Sequence, residues 1–500
     1  MSASKHFCTL AASILLSAPV MGQQTSQRDE FFWLSEINKA TAVINTQEGL
    51  LDKDLTGKIT AGIQKVIQDG NAPGGKRPST VIAYEPLLIE TAGPEITLLH
   101  AGRSSQDMFA TFRSAMLRDD LLALARQLNM TTASMISLAE KNTKTIVPNY
   151  TNGIAAQPNS YAHYLLGYVA GFERDAQRIR EAYARVDRSS MGTTVLNGTS
   201  WPLNRNRMAD YLGFSAIVDN AYDAAQISSY EEPVEVGEVI TNISLHVGSF
   251  IADIMTQYAQ PRPWILLAEG GQNTYVSSAM PQKRNPGLLN TTRADASSAI
   301  SLAMGPMLRA HNTQTGMSDA KNQRENRAMV QSAIKFLNEL DQVLNALVID
   351  PERALEELNN DWTASQEIAD VLMRQYKIPF RVGHHFASQL VDYAKEHNIK
   401  PLDFPYAQAQ RIYVDSVKEL NVSGELPMSE AEFRSTLDPV AIVNNRKTSG
   451  GSQPGEVSRM MDLAKKQVSD QSRWIDLKAQ QIDVSLRRLD ADFDTLRATQ

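Results

Sequence analysis

Residues 268–290 read AEGGQNTYVSSAMPQKRNPGLLN, a polar, glycine-rich, loop-like stretch in a chain otherwise dominated by helical periodicity. Gly270 and Gly271 give backbone freedom, Ser277 and Ser278 offer hydroxyls, and Lys283 and Arg284 bring two positive charges. Pro281 and Pro286 interrupt any helix on either side of that basic pair. The combination suits an anion held by a loop; on composition alone, a plain surface turn between two helices has the same look.

The wording is more specific than the composition. SSAMPQKRNP, residues 277–286, resembles the signature loop of the aspartase/fumarase superfamily, lyases that eliminate fumarate from substituted succinates, and its MPQK form is most similar to the argininosuccinate lyase branch. The resemblance implies that Ser277 is the catalytic base, taking a proton from the carbon next to a carboxylate, and that Lys283 and Asn285 bind substrate carboxylate. Val276 stands where the family usually has Gly, and a β-branched residue there restricts how the loop closes.

Two stretches on the N-terminal side carry the same resemblance. In HAGRSSQDMFATFR, residues 100–113, a small polar run precedes an apolar helix, and Asp107 suits that helix's first turn. HAGRS is similar to argininosuccinate lyases, whereas SSQD is closer to the SSND of aspartases and fumarases or the TSQD of adenylosuccinate lyases. By that likeness Arg103, Ser104, Ser105 and Gln106 bind carboxylates of the fumaryl moiety, and a helix N-terminus rich in donors is suited to it. His100 is the candidate proton donor. In VPNYTNGIAAQPNSYAHYLLGY, residues 147–168, the family form is YTHxQxAQP; here Asn152 stands at the His position and Ile154 at the Gln, while Thr151, Gln157 and Pro158 remain. The Glu that pairs with this His is replaced by Asn290. Both halves of a proton-handling pair are gone together, although Thr151 and Asn152 keep substrate-binding capacity.

On the C-terminal side, GMSDAKNQRENRAM, residues 316–329, corresponds to the arginine-recognition segment: Gln323 matches, whereas Ser318 replaces a Tyr and Asn326 a Lys. Residues 196–224, 367–394 and 437–454 also resemble argininosuccinate lyase segments, so the likeness runs from about residue 29 to the end. Apolar stripes at spacings of three and four run through Tyr161–Ile179, Val236–Ile254 and Val330–Leu347 and mark long core-facing helices. His163 and His246 lie within such stretches and read as structural. The adjacent His384 and His385 have no partner at metal-ligand spacing, and the GxxxxGK of residues 70–76 follows a helical pattern and lacks the Ser or Thr of a phosphate loop.

Length and composition bound the rest. A chain of 500 residues, 42% hydrophobic and 21% charged, is globular with more than one domain, and a net charge of −7 gives no support for nucleic-acid binding. Lys5 and His6, the apolar run 7–20 and the small-residue site at Val20, Met21 and Gly22 read as a signal peptide, so an exported protein, periplasmic or secreted and not membrane-bound, is expected. The other reading is a cytosolic protein with an apolar N-terminal helix. The sole cysteine, Cys8, lies in that segment, which leaves the mature chain without disulfides or thiolate ligands.

The expected architecture is all-α: a signal peptide at 1–22, an N-terminal helical region at 23–113, a central bundle of long helices at 114–362 and a C-terminal helical domain at 363–500. The resemblance implies a homotetramer with each active site built from three subunits, a small dicarboxylate substrate, and no cofactor or metal. Two functions stay open: a lyase releasing fumarate by cleaving a C–N or C–O bond of a substituted succinate, with argininosuccinate not the natural substrate, or a binding protein on a lyase scaffold.

Overall fold

A computed structural model of the chain describes residues 28–317, 322–421 and 423–498. The expected signal peptide with Cys8, and Ser318, lie outside the described residues. Helices α1 (Glu30–Gln47), α2 (Lys53–Asn71) and α3 (Val81–Ala92) lead into the long helix α4 (Ser105–Lys141). Strands β1 (Ile146–Thr151) and β2 (Ile154–Ser160) form an antiparallel hairpin before α5 (Tyr161–Val186). After β3 (Arg188–Ser189), α6 (Arg205–Tyr211) and β4 (Ala216–Ile217) come α7 (Ser228–Tyr258), β5 (Ile265–Leu267), β6 (Tyr275–Val276), β7 (Arg284–Asn285), α8 (Gly287–Ala310), α9 (Gln323–Ala346) and β8 (Leu347–Ile349). The remainder is α10 (Pro351–Asn360), α11 (Ser365–Tyr376), α12 (Phe380–Glu396), α13 (Tyr406–Glu419), α14 (Glu430–Leu437), α15 (Pro439–Asn444) and α16 (Pro454–Ala498). The fold is helical as expected, with strands only in two-stranded pairs.

The apolar stripes build the bundle. Leu165, Val169, Phe172 and Ile179 of α5, Val236, Ile240, Ile243, Val247 and Phe250 of α7, and Val330, Ala333, Leu337 and Leu340 of α9 are all buried in one continuous core. Their sum, at roughly 1.5–3 kcal/mol per large side chain removed from water, is what holds helices this long together. Polar pairs fix the directions. Asp120 meets Arg327 and Thr131 meets the Leu337 carbonyl, so α4 and α9 run parallel. Tyr164 meets Asp253 and Arg185 meets Glu235, so α5 and α7 are antiparallel; Arg309 with Glu325 and Lys335 with Asp295 make α8 and α9 antiparallel.

Arg118 is the polar keystone of this core. It is fully buried, with Nη1 3.0 Å from Asp187 and 2.7 Å from the Gly213 carbonyl, Nη2 3.1 Å from the Leu212 carbonyl, and its plane 4.3 Å from the Phe214 ring. The stretch expected as one C-terminal domain, 363–500, packs in two pieces. Trp362 to Leu437 close a separate small core, whereas α16 returns to lie along α1, α4 and α5, where Ile475, Ile482, Leu489 and Phe493 join the main core. Residues 70–76 are the end of α2 and the turn after it, with no strand to seat a phosphate loop.

Candidate active site

The first motif sits at the α4 N-terminus. Gly102, at φ 65°, bends the chain where a Cβ would meet Leu203 at 2.7 Å, and Ser104 takes the extended N-cap conformation. The Ser104 hydroxyl accepts from the Gln106 amide at 3.3 Å, and Asp107 Oδ1 accepts from the Ser104 amide at 2.8 Å, a capping box. Oδ2 of Asp107 reaches the Gly192 and Thr194 amides at 3.0 and 3.2 Å and so ties the motif to the 191–194 loop. Burial pushes the Asp107 carboxyl up to about 6 against these bonds. Arg103 is buried, its Nη1 3.0 Å from both Asn38 and Thr41 of α1, and burial lowers it to about 10. His100 Nε2 lies 3.0 Å from Glu85; burial first, then the Arg103 charge, lowers its pKa. Ser105 and Gln106 open the helix itself.

Gln323 begins α9, whose N-cap is Asn322. Both amide atoms of Gln323 and Oδ1 of Asn326 are buried without hydrogen-bond partners among the described residues.

Thr151 and Asn152 lie at the tip of the β1–β2 hairpin, where Thr151 pairs with Ile154 across the two residues Asn152 and Gly153. These have φ 53° and 77°, the two left-handed positions of a type I′ turn, for which Asn-Gly is the favoured pair. The sequence reading left this element out; the Asn-Gly dipeptide between apolar residues was its signal. Behind the tip, Tyr150 accepts from Gln257 Nε2 at 2.9 Å and from Trp264 Nε1 at 3.1 Å, which anchors the hairpin to the end of α7.

The signature loop leaves β6 at Val276 and returns through β7, with Tyr275 opposite Asn285 and Val276 opposite Arg284. Val276 therefore sits in a strand, where a β-branched residue is at ease. Between them the Ser277 Oγ accepts from the Met280 amide at 3.2 Å and the Ala279 amide at 3.4 Å. Lys283 is exposed and its amide closes the turn on the Met280 carbonyl at 3.1 Å; Arg284 is held by Glu269 at 3.1 Å, and Asn285 Nδ2 lies 3.4 Å from the Tyr275 carbonyl. Asn290, in the first turn of α8, shares no hydrogen bond with Asn152 among the described residues.

The helix directions divide these residues. His100, Arg103, Ser104, Ser105, Gln106 and Gln323 gather at the end of the bundle where α4 and α9 begin. Thr151 and Asn152 on the hairpin, and Ser277, Lys283 and Asn285 on the signature loop, lie toward the opposite end, where α4 and α9 finish and α8 begins, with no hydrogen bond between hairpin and loop among the described residues. Helix α4 has 37 residues and spans about 55 Å at about 1.5 Å per residue. A single chain cannot bring both groups onto one small substrate.

A sequence profile described as "Lyase" matches residues 17–300, and one described as "Argininosuccinate lyase C-terminal" matches residues 362–444. The argininosuccinate lyase of Methanothrix thermoacetophila is 26% identical over 489 residues, covering 95% of this chain and 96% of that protein. That of Staphylococcus saprophyticus is 28% identical over 437 residues, covering 85% and 90%. Among solved structures, EDDS lyase in complex with formate superposes with a TM-score of 0.86 at 24% identity, covering 94% of this chain and 92% of that one. Class II fumarase from Schistosoma mansoni gives 0.63 at 15% identity, covering 82% and 90%.

Proposed function

Because the chain belongs to the lyase family whose profile spans residues 17–300, as an aspartase/fumarase superfamily enzyme similar to argininosuccinate lyase, we propose that it releases fumarate from an N-substituted succinate by β-elimination. Ser277 takes the proton from the carbon beside a carboxylate, the C–N bond breaks, and its electron pair leaves with the nitrogen. The observation that carries this reading is the pair of backbone amides, Ala279 and Met280, directed at Ser277 Oγ. A serine hydroxyl is a weak base unless its developing negative charge is held, and two preorganised N–H donors beside the Lys283 charge do that. Ser104, Ser105, Gln106, Thr151, Lys283 and Asn285 hold the two carboxylates.

Such a site draws on more than one copy of the chain, since its halves lie at opposite ends of α4. Helix α8 supports an assembly, the homotetramer of the family, by exposing Leu302, Met304, Met307 and Leu308 along its length, surface a lone molecule would rarely leave to water. In our reading argininosuccinate is not the natural substrate: Asn152 and Ile154 lack the usual proton-handling and amide contacts, and Asn326 lacks the charge of the arginine-end lysine. Residues 1–22 favour export. A binding role without turnover draws on the same loss at Asn152 and Asn290.

Fumarate release, followed by ultraviolet absorbance over argininosuccinate and a panel of N- and O-substituted succinates, tests the reading. At least one substrate other than argininosuccinate is expected to turn over, and Ser277→Ala to lower that turnover at least about a hundredfold. A Ser277→Ala variant with near wild-type rate removes the proposed base, and a panel inert throughout leaves the binding role.

A further inference from the structure

Beneath the β1–β2 hairpin lies a cavity of about 390 Å³, within the size range of small-molecule sites. One wall is the hairpin with its tip residues Thr151, Asn152 and Gly153; the other is the start of α5 and the last turns of α7. Tyr150, Tyr161, Tyr164 and Trp264 bring aromatic rings to the lining. Tyr161 and Tyr164 stack with centroids 5.7 Å apart and an interplanar angle of 12°, and Trp264 meets Tyr161 edge-on at 5.6 Å.

Neutral polar side chains, among them Asn149, Thr151, Gln157, Thr256 and Gln257, share the lining with a single charged one. Asp253 is the only carboxylate lining the cavity, and no Lys, Arg or His lines it among the described residues. Its Oδ2 accepts from Tyr164 at 2.8 Å and from Tyr168 at 3.1 Å. Burial raises the phenols of Tyr150, Tyr161 and Tyr164 above their ordinary value, so they stay neutral. Tyr161 is 1% exposed, and its hydroxyl has no hydrogen-bond partner among the described residues.

An exposed carboxylate with no cation in the lining does not favour a second carboxylate, while a cation against the aromatic lining, with N–H groups on Asp253, complements it. We propose that this cavity binds the amine-bearing part of the substrate, an organic ammonium lodged against the Tyr161, Tyr164 and Trp264 rings and hydrogen-bonded to Asp253. The proposal rests on the elimination reading above and deepens it. The succinyl carboxylates stay at the hairpin tip, near Thr151, and the nitrogen substituent extends inward. Asp253 is thus a determinant of the leaving group, distinct from the α9 position where the argininosuccinate lyase resemblance puts arginine recognition.

Calorimetric titration of the full chain with benzylammonium, benzyl alcohol and succinate tests this without turnover. Benzylammonium should bind at least about tenfold more tightly than benzyl alcohol, and Asp253→Asn should remove that advantage, the value of about one charge-assisted hydrogen bond, with succinate affinity unchanged. Ala156→Trp, which fills the cavity from β2, should abolish binding of both aromatic probes. Equal affinity for amine and alcohol, no binding of benzylammonium, or an amine affinity untouched by either substitution overturns the pocket. Failure of succinate to bind the wild-type chain, with benzylammonium behaving as stated, counts against the dicarboxylate reading instead.

Discussion

Glu232 offers the most quantitative test of the fold that carries the site. It sits on α7, is fully enclosed in the core, and has one hydrogen bond, accepted from Ser114 Oγ of α4 at 2.8 Å. Burial, together with the nearby Asp223, Glu235 and Glu231 charges, pushes its carboxyl from 4.5 up to about 8, against the small lowering from Ser114. A folded-state pKa raised above the unfolded one means a stabilising contribution that is fully present below about 4.5 and lost as pH rises through about 8. At about 1.4 kcal/mol per pH unit, the loss between pH 4.5 and pH 8 amounts to about 5 kcal/mol, an upper figure because water and side chains relax around a buried charge. Glu232→Gln keeps an acceptor for Ser114 and carries no charge. Urea unfolding at one fixed protein concentration, run from pH 5 to pH 8.5, should give wild type and variant nearly the same stability at pH 5 and a variant more stable by about 2 to 4 kcal/mol at pH 8.5. Asp107, Asp120 and Glu36, raised to about 6, 7 and 7, give both proteins the same background slope, so the difference isolates Glu232. Parallel stability curves for the two proteins would refute the argument.

Lys283→Ala takes an exposed cation out of the signature loop and should weaken fumarate binding at least about tenfold by calorimetry, because the remaining cation, Arg284, is already paired with Glu269; an unchanged affinity contradicts its placement at the carboxylates. Arg118→Met strands Asp187 in the core with the Ser215 hydroxyl and a distant Lys478 at 3.9 Å, and should cost about 3 to 5 kcal/mol of unfolding free energy. A loss under about 1 kcal/mol would mean that the guanidinium is not the tie between α4 and the 212–213 turn.

What the sequence disclosed follows from which interactions are local. The stripes of α5, α7 and α9 repeat every three or four residues, so the same residues that make each helix amphipathic also name its buried face. The capping of α4 was readable for the same reason, since Ser104 and Asp107 are three apart. The second oxygen of Asp107 was not, because its partners, the amides of Gly192 and Thr194, come from more than eighty residues away. Helix α16 shows the limit from another side. Its apolar stripe suits the small core of 362–437 as well as the main core, and only the packed chain reveals that it returns to α1 and α4.

The candidate residues were legible as types but not as a place. Motif wording puts Ser104, Thr151 and Ser277 on one substrate, whereas Ser104 opens α4, a helix about 55 Å long, and the other two lie toward its far end. The 37 helical residues of α4 were in the sequence all along, and once its direction is fixed by Arg327 and Leu337 they hold the motif regions apart within one chain. The departures at 152 and 154 acquire a physical reason in the same way. Asn152 supplies the left-handed residue that a type I′ turn favours, and Ile154 is a β-branched residue at the first pair of the ladder, opposite Thr151. Both changes that remove proton handling also favour the hairpin, and the hairpin is one wall of the tyrosine-lined cavity. A chain that holds this wall firmly while giving up an acid at its tip is suited to a leaving group positioned by the cavity and able to depart without a strong proton donor.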